Sequence, residues 1–389
     1  MSFVIFGDAF TFPEGSAATN RVYTYAKGFV EHGISVHIVC FRNDYLDKYN
    51  GEINGIKYYH PFGQTKRSKY FIVRRWQKFI KYFKTIKLLK EINKSDKVIA
   101  INSWTLLLFS ELFAFFLAKY TRSNLISEHS EHPLRNYQSS CLRKIQGETK
   151  SYLGAKLCDG IFCISQYLID FYKSKGVNSK RLLLVPSTVD PKRFSQTSKK
   201  PLPFPYIGYF GSLTFDRDNI DVLIKAFSLI TNKHPEVHLV MGGFCSDDEK
   251  KKIENLITEL KLSFKVDILK YLTREEIIKY IIHADILIMV RAPDLKSQAS
   301  FPSKLTEYLA TSKPVVTVKV GEISDYLING VNSFIVEPGN GDALAEKLDY
   351  ILTDYDTALQ IGRKGQELTQ TIFNYNFQAR RMIDFINSL

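Results

Sequence analysis

The segment Phe301-Pro302-Ser303-Lys304-Leu305-Thr306-Glu307-Tyr308 holds the densest usable chemistry in the chain. An apolar run from Asp285 to Val290 reads as a strand, and Arg291 to Ala299 as the loop that leaves it. Pro302 and Ser303 then read as a helix start, because serine is a favoured cap and proline a favoured first-turn residue. Pro314 ends the element. A helix start offers unpaired backbone N–H groups and a partial positive charge, which suit a diphosphate. Lys304 adds a full charge in the first turn, and Glu307, one turn on, can accept hydrogen bonds from a ribose diol. By themselves these residues fit equally well a capped surface helix with an incidental lysine.

The elements that must hold this segment alternate along the chain. Ser2 to Phe6, Val36 to Phe41, Val98 to Ile101, Leu125 to Ser127, Gly160 to Ile164 and Leu182 to Val185 are apolar runs of strand length. Val22, Tyr25, Ala26, Phe29 and Val30 recur at helical spacing between the first two. That rhythm predicts a parallel sheet covered by helices. It pauses over Asp190 to Pro205, which reads as a linker, and restarts with strands at Tyr206 to Phe210, Val237 to Met241, Phe264 to Leu269, Asp285 to Val290 and Val315 to Val318. The expected class is α/β, with two doubly wound Rossmann-like domains facing a central cleft. Ligands of such sheets bind beyond the carboxyl ends of the strands. The expected boundaries are 1–195, 196–370 and a C-terminal helix, 371–389, packing back on the first domain.

Composition narrows the classes. The chain has 389 residues and a net charge of +13, which favours anionic partners. Its five cysteines are scattered with no CxxC pair, so a disulfide framework is not expected and a cytoplasmic setting is the default. Val98 to Ala118 is apolar enough to suggest a membrane span, but Asn102, Ser103 and Glu111 interrupt it, and a buried strand followed by a buried helix is expected instead. Asp216-Arg217-Asp218 and Asp354-Tyr355-Asp356 both spell DxD, too short a pattern to define a metal site. No P-loop, HExxH or zinc-type spacing is present.

The run Phe301 to Ala310, followed by Lys313-Pro314-Val315-Val316, resembles the donor-site signature of the family 4 retaining glycosyltransferases of the GT-B fold. The likeness extends over nearly the whole chain. Pro13 to Arg21 resembles the glycine-containing loop after that family's first strand. Val185 to Phe194 resembles the end of its first domain, Gly208 to Gly211 the opening of its second, and Asn329 to Gly339 a late turn. The resemblance implies a nucleotide-diphosphate-sugar donor as co-substrate, retention at the anomeric carbon, and no cofactor or required metal. It places Glu307 at the second glutamate of a Glu-x7-Glu motif, on the ribose. Ser303 and Lys304 fall at the diphosphate, as do Gly15 and Ser16 from the first domain and Gly211, Ser212 and Arg217 from the second. His129, in Ser127-Glu128-His129-Ser130-Glu131, matches a histidine near the sugar and acceptor.

Three positions depart from the pattern. Ala299 stands where the first glutamate would grip the donor sugar. Ser212 and Asp218 stand where many members carry the arginine and lysine that clamp the diphosphate, so Arg217 or Lys304 is expected to approach it. The usual glycine pair of the first loop is Gly15-Ser16.

From Lys66 to Lys90 the chain is strongly basic, with no acidic residue between Glu52 and Glu91. Ile72, Trp76, Phe79, Ile80, Phe83 and Ile86 share one helical face, with Arg74, Lys78 and Lys81 pointing away. Such a helix suits the surface of an anionic membrane. It fits equally a core-facing helix with a solvated basic side. No nucleic-acid-binding motif accompanies the charge. The expectation is a metal-independent, hexosyltransferase-type enzyme, cytoplasmic and peripheral on the inner membrane face. It would glycosylate a lipid-linked or glycan acceptor in capsule, O-antigen or exopolysaccharide synthesis. The alternatives are a catalytically silent nucleotide- or membrane-binding partner and a nucleotide-sugar epimerase on the same fold.

Overall fold

The computed structural model describes residues 1–15, 17–133, 141–270 and 272–389, with only the backbone of 141–146 and 150. The chain forms two compact units: Met1–Thr188 with Tyr375–Leu389, and Val189–Asn374.

The first unit carries an eight-stranded sheet in the order β3-β4-β2-β1-β5-β6-β7-β8. Its strands are β1 (Ser2–Gly7), β2 (Ser35–Cys40), β3 (Asn50–Ile53), β4 (Ile56–Tyr59), β5 (Val98–Trp104), β6 (Asn124–His129), β7 (Gly160–Cys163) and β8 (Leu182–Leu184). All neighbours pair in parallel except β3 with β4. A parallel sheet is covered on both faces, so its strands are apolar on both sides. β1 makes this concrete, because successive side chains point to opposite faces. Phe3 stacks on Phe29 at 4.0 Å between centroids, and Phe6 meets Phe113 edge-on at 5.9 Å. Phe29 belongs to α1 (Ala17–Glu31). Phe113 belongs to α3 (Leu108–Thr121), which touches α2 (Phe71–Ser95) and α4 (Cys141–Leu157). α5 (Gln166–Ser174) follows, capped by Ser165.

The second unit has a six-stranded, wholly parallel sheet in the order β11-β10-β9-β12-β13-β14. Its strands are β9 (Tyr206–Phe210), β10 (His238–Gly242), β11 (Val266–Ile268), β12 (Ile286–Met289), β13 (Val315–Val318) and β14 (Phe334–Val336). Renumbered from its own first strand, this is the Rossmann order 3-2-1-4-5-6. The helices are α6 (Phe215–Asp218), α7 (Ile220–Ile230), α8 (Asp247–Glu259), α9 (Arg274–His283), α10 (Leu295–Ala299), α11 (Ser303–Leu309), α12 (Ile323–Tyr326), α13 (Gly341–Thr353) and α14 (Tyr355–Gln370). α7 buries the stripe Ile220, Leu223, Ile224, Phe227 and Ile230. The segment expected to be a linker is partly packed. Asp190 accepts from the Lys192 amide to start a 3-10 turn, and Pro191 and Phe194 are buried.

The chain then returns to the first unit as α15 (Tyr375–Asn387), which lies along α1. Ala379, Met382 and Ile386 join Phe3, Val22, Ala26 and Phe29 in one core. Gly28 permits the approach, since a β-carbon there would lie 2.5 Å from that of Ala379. The Tyr375 hydroxyl donates to Glu31 at 2.6 Å, tying the ends of the two helices.

Two expectations about helices need correction. The helix after β5 is not simply buried: Phe109, Phe116 and Tyr120 of α3 face outward. Glu111, in contrast, turns inward and accepts from Ser103, Thr105 and Ser127. On α2, Lys81 does not point away from the protein. Its ammonium is buried, donating to the Phe41 carbonyl at 2.8 Å and to Asn43 Oδ1 at 3.0 Å. It also lies 3.8 Å above the Phe41 ring. Lys81 is therefore a core residue and not a membrane contact. Burial lowers its pKa to about 8. Among the described residues, no helix is long and apolar enough to cross a membrane.

Candidate functional site

The strand order of the second unit reverses direction between β9 and β12, the topological switch point where sheets of this kind bind ligands. The residues that leave those strands are Gly211-Ser212 and Val290-Arg291, and α11 starts beside them. Tyr308 fixes the register between α11 and β9: its hydroxyl accepts from the Phe210 amide at 2.7 Å and donates to the Phe210 carbonyl at 3.0 Å. Leu305, Thr306, Tyr308 and Leu309 are buried, leaving Ser303, Lys304 and Glu307 half-buried on the other face. The start differs in detail from expectation. Pro302 is the cap, Ser303 is the first helical residue, and no side chain caps α11.

Lys304 is held in place from several sides. Its Nζ donates to the Tyr209 hydroxyl at 2.7 Å and sits 4.2 Å from that ring's centroid. Asp218 Oδ1 is 3.8 Å away. The Tyr209 hydroxyl in turn donates to the Ser212 carbonyl at 3.0 Å, and Thr214 donates to the other Asp218 oxygen at 2.9 Å. Burial lowers the Lys304 pKa to about 8; Asp218 opposes that shift, while Arg291 and Arg217 add to it. Burial also lowers the Arg291 pKa, and Arg217 contributes. Lys304 thus pairs with the buried Asp218, while the charges of Arg291 and Arg217 act against its protonation.

Arg291 was not singled out in the sequence, where it is one arginine at the start of a loop. It is buried, and its guanidinium donates to Ser300 Oγ at 3.0 Å. An arginine directly after a buried strand is the signal that marks it. Arg217 itself is exposed on α6, and its carbonyl accepts from the Ala292 amide at 2.9 Å, joining the α6 and β12 loops. Gly211 and Ser212 are half-buried beside Lys304. Ala299 closes α10 and is fully buried, presenting no carboxylate.

The expected residues of the first unit lie at the carboxyl ends of its strands. Gly15 is exposed just before α1, where a β-carbon would lie 2.2 Å from Thr19 Oγ1. Ser16 lies outside the described residues. His129 ends β6, half-buried, with the Tyr172 hydroxyl 2.9 Å from Nδ1 and Ser127 Oγ 3.1 Å from Nε2. Next to it, Arg21 donates to Glu128 Oε1 at 2.9 Å and to the carbonyls of Pro186 at 2.7 Å and Val185 at 2.6 Å. Arg74 donates to the carbonyls of Ser68 and Lys69 in the segment just before its own helix, whereas Lys78 is exposed.

Among the described residues, no group of His, Cys, Asp or Glu side chains gathers as a metal site. Of the two DxD runs, Asp218 is taken up by Lys304 and Thr214, and Asp354 caps α14.

Two units, each built on a parallel sheet, define an α/β protein of the GT-B fold. Two family models tile the chain, Glycosyltransferase Family 4 over residues 18–193 and Glycosyl transferases group 1 over residues 190–368, and the chain belongs to the family 4 glycosyltransferases. Similar solved structures include sucrose-phosphate synthase from Thermosynechococcus elongatus, with a TM-score of 0.74, 19% identity, and 99% and 98% of the two chains covered. HepE of Anabaena in complex with UDP and glucose gives 0.73 and 16%, with both chains covered in full. Among curated relatives, trehalose synthase of Thermococcus litoralis is 25% identical over 56% of this chain and 55% of its own length. The capsular polysaccharide biosynthesis glycosyltransferase CapM of Staphylococcus aureus is 27% identical over 43% and 42%. The chain thus spans about half the length of the curated relatives it matches.

Proposed function

We propose that the protein is a retaining glycosyltransferase that moves a hexosyl group from a nucleotide-diphosphate-sugar to a hydroxyl of a lipid-linked or glycan acceptor. The observation that carries this is Lys304, held 3.8 Å from the buried Asp218 where β9 and β12 diverge, with Arg291 and Arg217 on the adjoining loops. In this reading the donor diphosphate joins Asp218 as their counter-charge. Glu307, on the same face of α11, accepts from the ribose hydroxyls. The acceptor oxygen attacks the anomeric carbon on the face the diphosphate leaves, and its proton passes to the departing diphosphate. The cations stabilise the negative charge that develops there, typically the largest catalytic contribution. His129 works at the sugar and acceptor, oriented by Tyr172 and Ser127. No metal is required. The structures of HepE bound to UDP and to UDP-glucose support a nucleotide-sugar donor, and the likeness to CapM, a capsular polysaccharide biosynthesis glycosyltransferase, supports a role in polysaccharide assembly.

Titration of uridine, guanosine, cytidine and adenosine diphosphates against thermal unfolding tests the site. A fitting nucleotide at ~100 times its dissociation constant adds about 2.7 kcal/mol of stability. A flat response to every nucleotide sinks the reading. A second reading, a catalytically silent nucleotide-binding partner, is favoured by the buried Ala299. Nucleotide stabilisation with no sugar release from any donor separates it from the first.

A further inference from the structure

The first half of helix α2 turns its aromatic side chains outward. The inward positions of the helix are Lys81, Thr85, Leu89 and Ile92. The opposite face carries Trp76, Phe79 and Phe83, which are 61%, 53% and 59% exposed. Those three rings follow one another along the helix, at centroid distances of 6.0 and 5.2 Å. A solvated surface helix normally has the reverse arrangement. The same holds on α3, where Phe109 is 77% exposed and Phe116 and Tyr120 stack outward at 6.0 Å. The two helices lie side by side. Tyr82 of α2 packs on Phe113 of α3 at 4.7 Å, and Phe113 reaches Phe6 of the sheet below. Their outward faces therefore form one surface of the first unit. A contiguous exposed aromatic patch of this kind marks an interaction site.

We infer that this α2–α3 surface seats the protein on an anionic bilayer, with Trp76, Phe79, Phe83 and Phe109 entering the boundary between headgroups and acyl chains. Charge selects this occupant. Exposed Lys66, Arg67, Lys69, Arg75 and Lys84 lie on α2 or in the segment leading into it, and no acidic residue lies between Glu52 and Glu91. A second copy docked face to face would bring two basic segments together. Anionic headgroups neutralise them and leave the aromatic rings in the interfacial layer that such rings prefer. The seat lies on the membrane and does not span it. The inference shares with the transferase reading only the idea that a lipid-linked acceptor is met at the bilayer.

The chain's two tryptophans, Trp76 and Trp104, provide the probe, because Trp104 is only 4% exposed. The full chain is mixed with phosphatidylcholine vesicles with or without phosphatidylglycerol, their acyl chains brominated. The expected result is a blue shift and quenching of emission with anionic vesicles, both lost in Trp76→Phe. Phe79→Ser combined with Phe109→Ser should reduce the bound fraction at least about tenfold at matched lipid. It should leave nucleoside-diphosphate stabilisation intact. No quenching, or full vesicle binding by the double variant, overturns the inference. So does a dimer of the parent chain that the double variant converts to monomer, since the patch would then be an interface between copies. Quenching without any nucleotide response sinks the transferase reading and leaves the membrane seat standing; nucleotide response without quenching does the reverse.

Discussion

A β-carbon at Gly211 would lie 2.2 Å from Nζ of Lys304. The ammonium occupies the space that any other residue's side chain would take. Because the clash is with the end of a flexible chain, Gly211→Ala should fold normally and push Lys304 away from Tyr209 and Asp218. The expected result is an unfolding temperature close to the parent's and nucleoside-diphosphate affinity weakened about tenfold, roughly the loss of one charge-assisted contact. Calorimetric titration reads both. Unchanged affinity would remove Lys304 from the diphosphate site.

Lys304 also predicts a pH dependence. Its pKa without ligand is near 8, below the usual 10.5, because of burial. A diphosphate stabilises the charged form, so binding takes up a proton wherever the free site is neutral. Affinity should be flat below about pH 8 and fall above it, by up to about tenfold per pH unit. Lys304→Met should bind more weakly and lose the slope. A parent affinity that does not change between pH 7 and 9.5 would argue against the assignment.

Glu307 is assigned to the ribose and not to the phosphates. Glu307→Ala should weaken nucleoside diphosphates by about 10–100-fold, consistent with lost hydrogen bonds to a charged group. Inorganic pyrophosphate, which has no ribose, should bind the variant at least as well as the parent. Equal losses for both ligands would move Glu307 to a structural role.

Arg21 carries a stability prediction. It is buried with Glu128, whose carboxyl is pushed up by burial and pulled back by Arg21 itself. Arg21→Met would remove the positive partner of that carboxylate, which keeps the Ser130 hydroxyl, and the donor to the carbonyls of Val185 and Pro186. Breaking such a buried pair costs about 3–5 kcal/mol. Adding Glu128→Gln should recover part of the loss, which chemical denaturation of the single and double variants can measure.

The parallel strands were legible because burial on both faces writes continuous apolar runs, as in β1, β5, β9 and β12. β3, β4 and β14 were not. Gly51 and Glu52 break any run in β3, and only its pairing with β4 makes it a strand. The donor segment was legible as a motif, but its electrostatic surroundings were not: Tyr209 and Asp218 reach Lys304 from about 95 and 86 positions away in sequence, and long-range contacts leave no local pattern. Periodicity showed which residues of α2 share a face. It could not show which face turns inward, because that depends on the Phe41 carbonyl and Asn43 accepting the Lys81 ammonium.

The return of α15 to the first unit has a consequence for synthesis. Domains generally fold as units while the chain emerges. The core beneath α1 includes Ala379, Met382 and Ile386, residues translated after the whole of the second unit. The second unit can therefore close while the first still has an open apolar groove along α1. The half of the protein that is made first is finished last, and until α15 docks the groove along α1 is open to misassembly and chaperone capture.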